Sequence, residues 1–151
     1  MDNAQLIQNF YDAFAAGDAK AMVSFYADDI EFQDPAFGPL KGDSAKNMWR
    51  MLLKTPGIKI SASSIKADDQ TGSADWVAEY TFSLTSRKVT NHVHAEFIFS
   101  NGKIVKHTDT FSFWKWAHQA FGLKGFLLGW TPLMKNKVRR QALARLSKFQ
   151  S

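Results

Sequence analysis

The fold is decided by residues 11–35, which read YDAFAAGDAKAMVSFYADDIEFQDP. The first half has apolar residues at helical spacing, and Asp18 is placed to cap a second, short helix. The pattern then changes to strict alternation, which puts Phe32 and Asp34 on the same face of a strand. Pro35 cannot donate to a sheet ladder and ends that strand. The sequence therefore predicts two helices followed by a strand with a carboxylate at the end of its apolar face.

Helices are also predicted on both sides of this stretch. Asp2 is placed to cap a first helix, and Asp43 to cap a third one. Near the other end of the chain, Thr131 and Pro132 have the order expected of an N-cap and a first helical position. That last helix carries the apolar stripe Val138, Ala142, Leu146 and Phe149. These signals predict three N-terminal helices and a C-terminal helical extension over residues 114–151.

Strands are predicted for most of the second half. The segments with the required alternation or composition are 58–65, 75–84, 89–99 and 103–113. Asn101-Gly102 between the last two is typical of a tight hairpin. On the last strand, alternation places Val105, His107 and Asp109 on one face. We therefore expect one α+β domain over residues 1–151, a cone-shaped, curved antiparallel sheet wrapped by the three N-terminal helices.

The composition and charge of the chain limit the classes of function that it can have. The chain has 13 Phe, 5 Trp and 3 Tyr, enough rings to fill a core or line an apolar pocket, and no Cys for disulfides or thiolate metal sites. The N-terminus lacks the apolar run of a signal peptide, so we expect a cytoplasmic protein. Net charge is −3 over residues 1–109 and +8 over residues 110–151, which contain no acid. Because the body is not basic, we expect no nucleic-acid partner.

Three ionisable residues are candidates for catalysis: Asp34, His107 and Asp109. A carboxylate on an apolar face is either desolvated, with a raised pKa suited to acid–base chemistry, or used to cap the turn at Pro35. His107 and Asp109 are two positions apart on one strand and so lie side by side. They either act on a bound ligand or form a structural pair inside the core.

Other kinds of site are not indicated by the sequence. His92 and His94 alternate with apolar residues and belong to the opposite face, so we expect no metal site. No Gly-rich phosphate loop and no GxSxG motif is present, and we expect no cofactor. Asn91 falls on the apolar face, where its amide could orient a ligand.

The opening YDAFAAGDAKAMVSFYADDIEFQDP, the loop and helix after it, and GKIVKHTDTF resemble the nuclear-transport-factor-2-like superfamily over about residues 4–114. This superfamily includes ketosteroid isomerases and proteins like polyketide cyclases and limonene epoxide hydrolases. The resemblance implies a cone-shaped α+β barrel with an apolar pocket and, frequently, a homodimer.

The resemblance also assigns roles to individual residues. Asp34 matches the general base of the ketosteroid isomerases, and Asp109 matches an acid–base aspartate on the last strand of the cyclase-like and epoxide-hydrolase-like members. The oxyanion-hole Tyr of the isomerases falls at Phe10, beside Tyr11, and its partner acid falls near Ala95. Because neither replacement supplies a donor, the match does not extend to steroid isomerisation, and epoxide hydrolysis lacks its Arg-x-Asp motif.

Three functions stay open at this point. The chain is an enzyme doing cofactor-free acid–base chemistry on a small apolar molecule, a non-catalytic module that binds a lipid-like or polyketide-like ligand, or an interaction domain that works through its basic tail. For either pocket function, we expect the ligand to contact Phe10, Tyr11, Phe32, Trp49, Asn91 and Phe97. We expect residues 121–149 to pack on the body as a lid or dimer surface; the alternative is a peripheral contact with anionic membrane.

Overall fold

The helices begin where a preceding residue can satisfy their first N–H groups. The computed structural model describes residues 2–151. Its helices are α1 (Asn3–Ala15), α2 (Ala19–Ser24), α3 (Asp43–Leu52), α4 (Phe113–Phe121), α5 (Leu123–Leu128) and α6 (Pro132–Gln150). Asp2 and Asp18 cap α1 and α2 through their side chains, as predicted. At α3 the prediction was one residue off, because Gly42 takes the cap position and Asp43 is the first helical residue.

Six strands form one curled sheet. They are β1 (Tyr26–Asp34), β2 (Gly38–Lys41), β3 (Lys59–Ala67), β4 (Thr71–Phe82), β5 (Arg87–Ser100) and β6 (Lys103–Thr110), in the spatial order β2-β1-β6-β5-β4-β3. Neighbouring strands are antiparallel, as predicted, except β1 and β6, which are parallel with Phe32 opposite His107. The first and last strands of the chain are therefore joined in the middle of the sheet.

The last strand differs from its prediction in two details. A register shift against Ile98 and Phe99 makes Val105 an extra, half-buried residue, and Ile104 takes the buried position instead. β6 also ends at Thr110, before the predicted end at residue 113, because the side chain of Ser112 caps α4. The bulge returns His107 and Asp109 to the buried face, where the alternation had placed them.

The core lies between α1, α3 and one face of the sheet, which we call the inner face. Large rings fill it, including fully buried Phe10, Phe32 and Phe97. His107 and Asp109 are buried on this face among them. The opposite face, the outer face, carries the exposed side chains of β5 such as His92 and His94. The buried ionisable side chains of β6 therefore lie on the inner face.

The C-terminal extension packs back on the body. α4 lies against β5, and α6 lies against α3. Leu146 joins the main core, while Val138 packs in a second cluster with Trp116. The predicted apolar stripe of the last helix thus faces the protein. Among residues 2–151, no helix combines the length and apolar character needed to cross a bilayer.

Candidate functional site

A cavity of about 220 Å³ lies between the inner face, α3 and α6. Its wall is mainly apolar, with Trp49, Trp76 and Trp116 among the lining side chains. Polar or charged residues also line it, among them Asp34, Tyr80, Asn91, Asp109 and Arg145. An apolar cavity with a few polar groups is the common form of a small-molecule site.

The parallel pairing of β1 with β6 brings the two aspartates together. Phe32 is opposite His107 and Gln33 is opposite Thr108, so the next step of this register places Asp34 beside Asp109. Neighbouring strands lie about 5 Å apart. Two carboxylates on adjacent strands therefore meet at the cavity, although 75 residues separate them in the sequence.

Asp34 serves as a turn cap and also faces the cavity. Its Oδ1 accepts hydrogen bonds from the backbone N–H of Ala36 at 3.0 Å and of Phe37 at 2.6 Å. Burial raises the pKa of Asp34 to about 7; the bond from Phe37 opposes this rise and the charge of Asp109 adds to it. Asp34 is therefore both a cap of the turn at Pro35 and a desolvated carboxyl with a raised pKa, the two interpretations that the sequence left open. The carboxyl is held in place by one oxygen and titrates near neutral pH.

Asp109 ends a chain of buried hydrogen bonds. Its Oδ1 is 2.8 Å from Nε2 of His107 and accepts a bond from Nε1 of Trp76 at 3.3 Å. On the far side of the imidazole, Nδ1 is 2.7 Å from the hydroxyl of Tyr26, which accepts a bond from Nε1 of Trp49. Every polar group in this network has a partner.

The network fixes the proton on His107. Burial, assisted by the charge of Asp109, raises the pKa of Tyr26 well above its ordinary value, so this hydroxyl keeps its proton. Among residues 2–151 its one acceptor is Nδ1 of His107. The imidazole of His107 therefore accepts at Nδ1 from this hydroxyl and donates from Nε2 to Oδ1 of Asp109. The imidazole orients that carboxylate from behind.

The predicted site residues divide into two groups. Asp34, Trp49, Asn91 and Asp109 line the cavity. The remaining predicted residues lie outside its lining and pack in the core: Phe10, Tyr11, Phe32, Phe97 and His107. The rings of Phe32 and Phe97 contact the imidazole, with centroids 5.1 Å and 4.5 Å from it. Alternation gave the correct face for Phe32, Phe97 and His107 but not their depth, while Phe10 and Tyr11, on α1, were selected from the resemblance.

Tyr80 is a cavity residue that the sequence reasoning did not select. Its hydroxyl oxygen accepts a hydrogen bond from Nε1 of Trp116 at 2.7 Å, and among the described residues no acceptor takes its proton. Burial raises the pKa of Tyr80, and the charge of Asp34 adds to the rise. Alternation did place Tyr80 on the apolar face of β4 with Trp76. Its partner Trp116 belongs to the extension, so spacing within the strand could not reveal this pair.

Histidines on the outer face are separate from the cavity. His94 and its neighbour His92 are exposed, as their alternation predicts, and Nδ1 of His94 is 2.8 Å from Oδ1 of Asp75. Within residues 2–151, no three His, Asp or Glu side chains converge as metal ligands would.

Comparison with known proteins places this geometry in context. The model of a family described as SnoaL-like domain matches residues 7–107. Comparison with curated proteins gives no match. The solved structure of a proposed polyketide cyclase from Xanthomonas campestris pv. campestris is 22% identical, with a TM-score of 0.62 over 77% of this chain and 94% of that one.

Two further solved structures have the same fold. An NTF2-like protein of unknown function from Burkholderia pseudomallei is 17% identical, with a TM-score of 0.69 over 81% of this chain and all of that one. SalBIII, an epoxide hydrolase/cyclase-like enzyme of pyran ring formation in salinomycin, is 16% identical, with a TM-score of 0.63 over 71% of this chain and 88% of that one. At these identities the likeness concerns the fold.

Proposed function

This chain belongs to the SnoaL-like domain family, and from that premise we propose that it binds a small apolar molecule and moves a proton on it without a cofactor. Asp34 is the group that takes and returns the proton. Tyr80 and Asn91 donate hydrogen bonds to the oxygen on which negative charge develops. The reaction class is isomerisation or ring closure next to a carbonyl.

The observation that carries this proposal is the environment of Asp34. A carboxyl with a pKa of about 7 is ionised in half of the molecules near neutral pH, and it is a stronger base than an ordinary aspartate. The two backbone bonds to Oδ1 fix its orientation, and among residues 2–151 no donor occupies Oδ2. Asp109 beside it has a different environment, because its Oδ1 contacts Nε1 of Trp76 and Nε2 of His107. Two aspartates in different environments can thus have different roles.

Tyr80 supplies the donor that Phe10 and Ala95 do not. Because its oxygen already accepts from Trp116, its proton is free to point at a bound oxygen. In the proposed step Asp34 removes a proton from carbon, the carbonyl becomes an enol or enolate held by Tyr80, and the proton returns at another carbon. A dry wall strengthens this hydrogen bond as charge develops on the oxygen.

The volume sets the size of the ligand. A cavity of about 150 Å³ holds benzene, and the cavity here measures about 220 Å³. A molecule of one or two rings fits this space better than a steroid does. The aromatic wall would stack on such rings.

Deuterium exchange tests the proposal without knowledge of the natural substrate. Small cyclic ketones and enones in D₂O are followed by NMR for exchange of the hydrogens next to the carbonyl. We expect exchange to accelerate as pH rises through about 7, because the ionised form of Asp34 is the base. Asp34→Asn should abolish it, and Tyr80→Phe should reduce it by about 10²-fold.

Asp75→Asn, which changes an aspartate on the outer face, is the matched control and should leave exchange unchanged. Binding is followed separately through tryptophan fluorescence. Compounds that bind in the cavity but exchange no faster than in buffer would contradict the catalytic role and favour the binding module.

A further inference from the structure

The segment from Gly122 to Leu133 has its small residues inside and its large apolar residues outside. Gly125 is buried against α4, where a Cβ atom would lie 1.9 Å from the carbonyl oxygen of Ala117. At Gly129 a Cβ atom would lie 2.5 Å from the carbonyl oxygen of Gly125 and 2.9 Å from Cβ of Ala117. α5 therefore packs on α4 through glycines, which turns its leucines and phenylalanine outward.

The outward side chains form what we call the apolar ridge. Its members are Leu123, Phe126, Leu127, Leu128, Trp130 and Leu133. Leu133 is 77% exposed, Trp130 73% and Leu123 71%. Single exposed apolar residues are ordinary, but six within eleven positions form a patch of the kind found at interaction sites. The ring of Phe126 packs against Trp114 and His118 on α4, with centroids 5.4 Å and 5.1 Å away, whereas Leu123, Trp130 and Leu133 are more than 70% exposed.

Charge identifies the surface that the ridge fits. Residues 110–151 hold eight Lys and Arg and no Asp or Glu. Lys124 lies within the ridge, and Lys135 and Lys137 follow it; all three are exposed. A two-fold contact between two copies would bring the same cations face to face. Anionic lipid headgroups would instead neutralise the cations while the leucines enter the acyl boundary.

The tryptophan of the ridge suits such a boundary. Nε1 of Trp130 donates to the carbonyl oxygen of Leu127 at 3.0 Å, so the ring can leave water without losing a hydrogen bond. The ridge also adjoins the cavity. Phe121, two residues before Leu123, lines the cavity, as does exposed Leu84. The turn that carries Leu84 is tied to the end of α4 by a bond from Thr85 to the carbonyl oxygen of Ala120.

We propose that the apolar ridge, with its lysines, docks this protein on the surface of an anionic lipid bilayer. The helices lie along the headgroups and none of them crosses the membrane. The docking is independent of the chemistry in the cavity. α6 contributes to this docking through its N-terminal part, which carries Leu133, Lys135 and Lys137, and not through its apolar stripe, which packs against the body.

Vesicle co-sedimentation tests the proposal with the full chain. Vesicles of phosphatidylcholine alone are compared with vesicles that also contain phosphatidylglycerol, at low salt. We expect partition at least about tenfold stronger on the anionic vesicles, weakening as salt is added. Trp130→Ser with Leu133→Ser should weaken it by about tenfold or more, because both side chains are exposed and carry apolar area.

Two further variants test whether the lysines of the ridge are needed and whether any exposed apolar residue has the same effect. Lys124→Gln with Lys135→Gln keeps the apolar side chains and should remove the preference for anionic vesicles. Ile98→Ser changes an exposed apolar residue on the outer face and should bind like the parent chain. Circular dichroism verifies that each variant is folded. Absence of binding to anionic vesicles at low salt would overturn the proposal, as would binding unchanged by Trp130→Ser with Leu133→Ser. A dimer that this double variant dissociates, without vesicle binding, would assign the ridge to a second copy.

Discussion

The two faces of the sheet each carry a histidine–aspartate pair, and both pairs have the same N–O distance of 2.8 Å. On the inner face, the side chains of His107 and Asp109 are 0% and 2% exposed. On the outer face, those of His94 and Asp75 are 47% and 54% exposed. The surroundings differ as well: rings and a tyrosine hydroxyl enclose the inner pair, whereas water reaches the outer one.

This contrast shows that the N–O distance alone does not give the energy of a histidine–aspartate pair. Water screens the outer pair and can replace either partner. The inner pair has no such substitute, because a buried polar group that loses its partner keeps the full penalty of desolvation. The same burial that makes the inner face sensitive to mutation raises the pKa of Asp34.

The largest difference between the two faces should be the loss of stability when the histidine of each pair is replaced. His107→Leu leaves Asp109 without its strongest donor and Tyr26 without its acceptor, so we expect a loss of about 3–5 kcal/mol in the free energy of unfolding. His94→Leu should change it by less than about 1 kcal/mol. Urea denaturation monitored by tryptophan fluorescence measures both. Equal losses would contradict the inferred difference between the pairs.

Asp34 should make stability depend on pH. Its pKa is about 7 in the folded protein and near 3.8 unfolded, so the folded state binds more protons between these values. The contribution of Asp34 to stability is therefore fully present below about pH 4 and declines as pH rises to about 7, by up to about 4 kcal/mol. Asp34→Asn keeps the turn bonds and should be the more stable chain at pH 8.

Asp68 is a control for this prediction, because its pKa is shifted in the opposite direction from that of Asp34. Backbone hydrogen bonds from Thr71 and Gln70 lower the pKa of Asp68, which lies on the exposed turn between β3 and β4. Asp68→Asn should give no gain in stability at pH 8. If Asp34→Asn gives none either, the carboxyl of Asp34 is not desolvated in solution.

The tyrosine hydroxyl behind His107 should have a smaller effect. Tyr26→Phe removes the acceptor of Trp49 and the donor to His107, and we expect it to destabilise the fold by about 1–3 kcal/mol. Thr110→Val, which removes a hydroxyl bonded to the carbonyl oxygen of His94 on the exposed side, should cost less than about 0.5 kcal/mol. Thermal unfolding of both variants decides whether the network needs the hydroxyl.

The smallest effect should be the salt dependence of the outer pair. In a double-mutant cycle, His94 and Asp75 should couple by about 0.2–1 kcal/mol at low salt and by almost nothing at 1 M salt. The coupling of His107 with Asp109 should be larger and insensitive to salt, because ions do not reach it. A coupling on the inner face that salt removes would mean that the core opens to water.

Much of the fold could be predicted from the sequence because its signals are local. The caps at Asp2 and Asp18, the hairpin at Asn101-Gly102 and the strand alternation each act within a few residues. The bulge at Val105 could not be predicted, since it depends on how β6 fits a neighbouring strand. The parallel pairing of β1 with β6 was missed for the same reason.

For the site, sequence reasoning identified the aspartates but not their full surroundings. Asp34 and Asp109 stand out because a charged residue on an apolar face needs an explanation. Tyr80 does not stand out, since a tyrosine on an apolar face is ordinary and its partner Trp116 lies 36 positions away. His107 was placed on the right face but too near the cavity, because alternation carries no information about depth. The inverted packing of α5 depends on contacts of Gly125 and Gly129 that composition cannot show.

The parallel pairing of β1 with β6 has a consequence for folding during translation. Tyr26 and His107 are bonded to each other although they are 81 positions apart. At a synthesis rate of about 5–20 residues per second, His107 on β6 is synthesised roughly 4–16 s after Tyr26 on β1. Until then β1 lacks the neighbouring strand with which it forms parallel hydrogen bonds. During that interval the aromatic side chains of α1 and α3 have no complete inner face of the sheet to pack against. Folding on the ribosome should therefore be late and abrupt, beginning when β6 leaves the exit tunnel.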